Sequence, residues 1–190
     1  DEAARQVHFA RVGTQYDAIA GLGDSMLQFL GEAPASALAA LGKFNPRVLP
    51  FAYGIKPTST TMHAALGAAG KNNKRGIEIY TRFDIFPAHL DGCKQVGANL
   101  IPIVSSKDPG TTRYDWFYDD EKLIAVAMDA YLDTPSLFAH MKNAHDVHEL
   151  LFDHSTCTTE FLGVLPEEAQ AAVARYNPYV LPLYAGLIAA

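Results

Sequence analysis

Between Gly76 and Pro87 the chain alternates. Ile77, Ile79, Thr81, Phe83 and Ile85 point one way, and Glu78, Tyr80, Arg82 and Asp84 the other. This is the period-two pattern of a strand with one apolar and one polar face. From Pro87 to Ser106 the period becomes helical, with Leu90, Cys93, Val96, Leu100 and Val104 near one side. Pro102 is expected to kink or shorten the last turns. Asp108-Pro109-Gly110 predicts a turn, followed by strands over Thr111–Tyr118 and Leu123–Tyr131 joined by a tight hairpin at Asp119-Asp120-Glu121. Thr134-Pro135 predicts a helix start with Thr134 as its N-cap, and Leu137, Met141, Ala144, His148 and Leu151 form the stripe that follows. A closing strand runs into Phe161-Leu162-Gly163.

The order over residues 77–164 is therefore β-α-β-β-α-β. It predicts an α+β, ferredoxin-like domain, a four-stranded antiparallel sheet with both helices on one face. The opposite sheet face is expected to carry Tyr80, Tyr114 and Trp116. Residues that large need cover, from a second sheet of a partner or of the other half of the chain.

A second pattern spans both halves. Residues 29–55 read FLGEAPASALAALGKFNPRVLPFAYGI and residues 161–187 read FLGVLPEEAQAAVARYNPYVLPLYAGL, with 13 of 27 positions identical at an offset of 132. An internal repeat of this length has the scale of a small domain rather than of a solenoid unit. Extended backwards, it sets His8 opposite His140. Each copy predicts a short helix (34–43 and 166–175), broken by Asn-Pro, then an extended segment that its prolines confine to an edge or irregular strand. The first copy holds only the latter half of a unit. The expected organisation is a half-unit at 1–55, a linker at 56–76 with a short helix at 61–69, and a complete domain at 77–190.

Composition narrows the function. The chain has 190 residues, 49% hydrophobic and 19% charged, as in ordinary globular domains. A net charge of −6 and an acidic pI argue against nucleic acid as a partner, since the one basic cluster, KNNKR at 71–75, falls in the linker. Cys93 and Cys157 stand 64 residues apart in no metal or redox spacing and predict free thiols. No apolar run is long enough to cross a membrane, so no membrane partner and a cytoplasmic location are expected. The chain opens at Asp1 rather than Met, without a signal-peptide pattern, which suggests an upstream or processed start.

Four histidines lie on or just beyond the second helix: His140, His145, His148 and His154. His145 and His148, three apart, share a helix side, but a metal site would need a convergent third ligand. Structural or surface roles are the expectation, with no metal. His140 borders the apolar stripe and is open to either a core or a functional role. Tyr80 and Arg82 share one strand face, and Tyr114 and Trp116 share a face of the next; as core aromatics or as a cage around a ligand, both readings stand. Arg82, Arg113 and Asp115 equally suit a structural ion pair across strands.

The segments IEIYTRF (77–83), DPGTTRYDWFYDDEKLIAVAMDAYLDTPSLFAHMKNAH (108–145) and TTEFLGVLP (158–166) resemble the antibiotic-biosynthesis-monooxygenase family of dimeric α+β barrels. That resemblance implies two ferredoxin-like sheets packed face to face, with a pocket between helices and sheet. Some members oxygenate quinol-like aromatic molecules without metal or flavin, related ones degrade haem, and many have no demonstrated activity. The implied function is a cofactor-independent monooxygenase acting on a small aromatic or quinol-like substrate, as a homodimer. His140 would accept a phenol proton, Tyr80 and Arg82 would stabilise oxyanion charge, and Trp116, Tyr114, Asn99 and His145 would contact substrate. The alternatives are a non-catalytic ligand-binding or assembly barrel, and haem binding or degradation. The first copy departs from the family by lacking its first strand, first helix and hairpin. A fragment of a tandem protein, completion by another polypeptide, or a decorating segment would each explain it, and the first is preferred.

Overall fold

The computed structural model describes residues 26–55, 76–162 and 165–181. The expectations for His8, for the helix at 61–69 and for KNNKR lie outside these residues. Two compact units divide between Phe51 and Ala52.

In the first unit, β1 (Gln28–Leu30) is followed by α1 (Ala35–Leu41), which tightens into a 3-10 turn at Gly42–Phe44. Asn45 then takes the left-handed conformation (φ 47°), its N–H returning to the Gly42 carbonyl, and Pro46 prevents further helix. Strand β2 (Arg47–Leu49) comes back parallel to β1, pairing Gln28 with Arg47 and Leu30 with Leu49.

The second unit is built on a six-stranded sheet. Its strands are β3 (Phe51–Gly54), which straddles the division, β4 (Ile77–Ile85), β5 (Thr111–Asp119), β6 (Ile124–Tyr131), β7 (Ser155–Leu162) and β8 (Tyr179–Leu181), in the spatial order β3-β5-β6-β4-β7-β8. The central four, β5-β6-β4-β7, are antiparallel and have the ferredoxin-like order. Two 18-residue helices connect them, α2 (Leu90–Lys107) and α3 (Thr134–Leu151). After β7, α4 (Glu167–Val173) and a 3-10 turn at Ala174–Tyr176 lead to β8, parallel to β7, with Glu160 opposite Tyr179 and Leu162 opposite Leu181. Asn177 is again left-handed (φ 45°). Every element and strand pair of the first unit's described part thus has its counterpart 132 residues later.

The sequence pattern and the fold agree on α2, whose buried side carries Cys93, Val96, Leu100 and Val104. Three expectations are corrected. Helix α2 is not shortened at Pro102 but runs on to Lys107, with Pro102 on its exposed side. The cap of α3 is Asp133, whose Oδ1 accepts from both the Ser136 N–H (2.9 Å) and the Ser136 hydroxyl (2.6 Å), so Thr134 is the first helical residue and not the cap.

The third correction concerns β5. Tyr114 and Trp116 do not share a face with Tyr80. Cross-strand register puts Trp116 beside Ala127 and Thr81, and Tyr114 beside Asp129 and Ile79, on the side the helices cover. Trp116 stacks on Phe83 with ring centres 5.2 Å apart. The small Ala125 and Ala127 opposite Tyr118 and Trp116 leave room for those rings. The face with Tyr80 and Arg82 instead receives Arg113, Asp115 and Phe117 from β5.

Strand β3 carries the end of the first copy into the second unit. The Ile55 N–H bonds the Tyr114 carbonyl (3.0 Å), and the Tyr53 hydroxyl donates to the Lys94 carbonyl (2.9 Å) while meeting the Tyr118 hydroxyl at 2.6 Å. Since Tyr53 spends its proton on Lys94, Tyr118 is the donor between the two phenols. Gly97 lets α2 approach this pair; a Cβ there would collide with both hydroxyls.

Candidate active site

Between α3 and the helix-covered sheet face lies a cavity of about 100 Å³. Sheet residues Ile79, Phe83, Trp116 and Phe161 form much of its apolar wall, and Leu151, Phe152, Val173 and Tyr176 line the side toward α4. The rings of Phe152 and Tyr176 stack with centres 6.2 Å apart. Arg175 lies over Tyr176 and pairs with Glu149, tying α4 to α3 beside this wall.

One buried histidine–carboxylate contact dominates the polar side. The α3 stripe turns His140 inward, where it is 2% exposed. Its Nδ1 stands 2.8 Å from Oδ2 of Asp108, itself 4% exposed at the turn between α2 and β5. The other Asp108 oxygen accepts from the Asn143 amide at 2.7 Å. Burial pushes the Asp108 carboxyl up, but the bonds from His140 and Asn143 outweigh it and hold the group below its ordinary value. A carboxylate fixed on Nδ1 orients the ring and leaves Nε2 as the acceptor, the arrangement that prepares an imidazole as a base.

His140 Nε2 has no hydrogen-bond partner, and neither do Asp129 Oδ1 and Trp116 Nε1; all three atoms are buried, and all three residues line the cavity. A buried polar atom left unsatisfied costs about 1–3 kcal/mol, so three on residues lining one apolar space call for a bound molecule or an ordered water to complete the bonding.

The remaining groups are tuned by the same burial. Asp129 is pushed up to about 6 by desolvation, against the nearby His140 and the Tyr131 hydroxyl, which bonds its Oδ2 at 3.4 Å. Burial, then the neighbouring Asp129, keeps the Tyr114 and Tyr131 phenols well above their usual value. His148 is held down to about 3 by desolvation and by His140, whose ring centre is 5.0 Å away, so it is neutral at ordinary pH. Its Nε2 faces the Tyr114 hydroxyl at 3.4 Å. None of the described lining residues is Lys or Arg.

The sequence-derived candidates separate accordingly. His140, Tyr114 and Trp116 meet at the cavity. Tyr80 and Arg82 lie on the opposite sheet face, where Arg82 pairs with Asp84 (2.5 Å). Asn99 is exposed on α2, accepting from Gln95 (3.0 Å), and His145 is exposed, near Glu149 (3.8 Å). These four do not reach the cavity. Asp129 and His148 do, with Asp108 behind them holding His140, and the sequence reading missed all three. His148 belonged to the apolar stripe of α3, and Asp129 was an acid inside an otherwise apolar strand, so both had a signal. Asp108 had none, being one more residue of a turn. Among the described residues no three His, Cys, Asp or Glu side chains converge as a metal site, and no helix is long and apolar enough to cross a membrane. Cys93 and Cys157 are free thiols.

No protein-family model matches the sequence, and no curated protein does either. Among solved structures the chain is similar to MupZ from Pseudomonas fluorescens, at 21% identity and a TM-score of 0.52, over 60% of this chain and 94% of that one. Two others overlap over 48% of this chain. They are a candidate antibiotic biosynthesis monooxygenase from Bacteroides thetaiotaomicron (16% identity, 90% of its chain, TM-score 0.41) and PA3566 from Pseudomonas aeruginosa (13%, 95%, 0.42). At such identities likeness speaks for fold alone. The chain has the ferredoxin-like α+β fold that its sequence resemblance to antibiotic-biosynthesis monooxygenases implied.

Proposed function

We propose that this protein is a cofactor-independent monooxygenase of a small, one-ring phenol or quinol. The observation that carries this reading is the Asp108–His140 pair, with His140 lining an apolar cavity and its buried Nε2 unpartnered. His140 Nε2 takes the hydroxyl proton of the phenol, which raises electron density on the ring. A ring carbon ortho or para to that oxygen that still carries hydrogen gives electrons to molecular oxygen and forms a carbon–oxygen bond. Loss of water, which carries off the ring hydrogen and the phenol proton, leaves the quinone, so one atom of O₂ ends in product and one in water. Trp116 Nε1–H is the donor available to developing oxyanion charge, the role the sequence suggested for Tyr80 and Arg82. Apolar walls keep water from the activated ring.

Oxygen uptake and quinone absorbance with a panel of one-ring phenols and hydroquinones test the reading. Uptake above the spontaneous rate, lost in His140→Ala, is expected. Uptake equal to buffer would leave a non-catalytic binding barrel. The haem alternative is disfavoured by size, since about 100 Å³ is well below the roughly 300–1,000 Å³ of pockets for drug-sized ligands. A Soret shift on haem titration that vanishes in His140→Ala would revive it.

We further propose that residues 1–55 are the C-terminal half of a first ferredoxin-like unit. Its support is the identity of 13 of 27 positions together with the same element order and strand register. A homodimer is proposed as the working assembly. The exposed edge strand β8, with Tyr179, Val180 and Leu181 all open to solvent, favours self-association. Light scattering should give twice the chain mass of 20.6 kDa, and a monomer mass at micromolar concentration would overturn it.

A further inference from the structure

The three orphaned atoms specify more than a site. The inference rests on the cavity being the substrate site. His140, with Nδ1 turned to Asp108, presents Nε2 as an acceptor; Asp129 Oδ1 is an acceptor; Trp116 Nε1 can only donate. A ligand that satisfies all three offers two donors and one acceptor. Two hydroxyl groups do this, because each donates through hydrogen and either oxygen accepts. The ring centres of Tyr114 and Tyr131 both lie 5.3 Å from that of His140, and Tyr114 stands opposite Asp129 across the strands. Its volume of about 100 Å³ suits a single ring.

Charge selects further. No Lys or Arg is found among the described lining residues, while Asp129 lines the cavity and Asp108 stands directly behind His140. An anionic ligand would be buried beside carboxylates with no cation to meet it, which is costly in a poorly solvated space. We propose that the cavity takes a neutral, dihydroxylated single-ring molecule, one hydroxyl donating to His140 Nε2 and the other to Asp129 Oδ1, and that it rejects carboxylated phenols.

Calorimetric titration under argon tests this with resorcinol, catechol, hydroquinone, phenol and 4-hydroxybenzoate. At least one dihydric phenol should bind about tenfold more tightly than phenol, the worth of one hydrogen bond to a charged acceptor. 4-Hydroxybenzoate should bind about tenfold more weakly than phenol. In Asp129→Leu the dihydric advantage should shrink to within about twofold while phenol still binds. In the near-isosteric Asp129→Asn, which covers the case of a misfolded Leu variant, 4-hydroxybenzoate should recover relative to phenol. Equal binding of 4-hydroxybenzoate and phenol by the natural protein, no preference for any dihydric phenol, or no binding at all would each overturn the proposal. Oxygen is absent from the experiment. A protein that binds as stated but consumes no oxygen would therefore overturn the oxygenase reading and leave this one standing. Oxygen consumption with phenol preferred over every dihydric phenol would do the reverse.

Discussion

The two faces of the central sheet carry similar kinds of residue and have different fates. On the side away from the helices, Arg82 and Asp84 form a pair with Asp84 half-exposed, and Arg113 and Asp115 pair at 2.7 Å. On the helix side, Asp108 and His140 make a pair at 2.8 Å with both side chains nearly out of water. The first kind is screened and contributes little. The second cannot be broken without leaving a buried charge or donor, so it is both costly to disturb and able to hold a proton acceptor in place. Chemistry follows the dry face.

The largest test of this contrast is catalytic. His140→Ala should lower turnover of an accepted phenol by about 100-fold or more, the usual worth of a general base. Tyr80→Phe and Arg82→Ala should each stay within about twofold. Comparable losses from either face would erase the distinction.

Next comes stability. Asp108→Asn should cost about 3 kcal/mol in urea unfolding, since it removes one side of a buried pair. Asp84→Asn should cost under about 1 kcal/mol. Asp108→Asn should also slow turnover with little change in KM, because it disturbs the base and not the walls.

Proton linkage gives a third test. His148 titrates near 3 in the folded chain against an ordinary 6.5, so the unfolded chain takes up its proton first. Its contribution is present above about pH 6.5 and is lost as pH falls toward 3. Asp129 runs the other way, with a folded value of about 6 against 3.8. Its contribution is present below about pH 3.8 and is lost as pH rises through 6. The slopes oppose between these limits. His148→Phe should flatten the acid decline, and Asp129→Asn should remove the loss near pH 6, as read from urea midpoints across that range. Gly97→Ala should cost about 1–3 kcal/mol in urea unfolding, because the added methyl must push aside the Tyr53 and Tyr118 hydroxyls.

The order of elements was legible because period two and period 3.6 are local. Ile77–Ile85 and the Cys93–Val104 stripe state their buried sides without help from the rest of the chain. What stayed hidden needed two strands at once. Alternation within 111–118 separates Tyr114 and Trp116 from Arg113 and Asp115, but it does not say which set shares a side with Tyr80. The register with β6, which shifts at Thr111/Arg113, decides that. His140 was visible from its place beside the stripe. Its partner Asp108 lies 32 residues earlier in a turn, where nothing local distinguishes an acid that folds inward from one that caps a loop.

The docking of β3 has a practical consequence for dissecting the chain. The repeat suggests cutting after residue 55, yet Tyr53 and Ile55 are bonded to Lys94, Tyr118 and Tyr114 of the later unit. An excised 77–190 fragment would lose the strand that completes one margin of its sheet, uncovering the unpaired amides of β5 and the phenol of Tyr118. Expression boundaries chosen by homology between the copies would thus yield a sticky, aggregating product. Boundaries placed upstream of Phe51 keep the margin sealed.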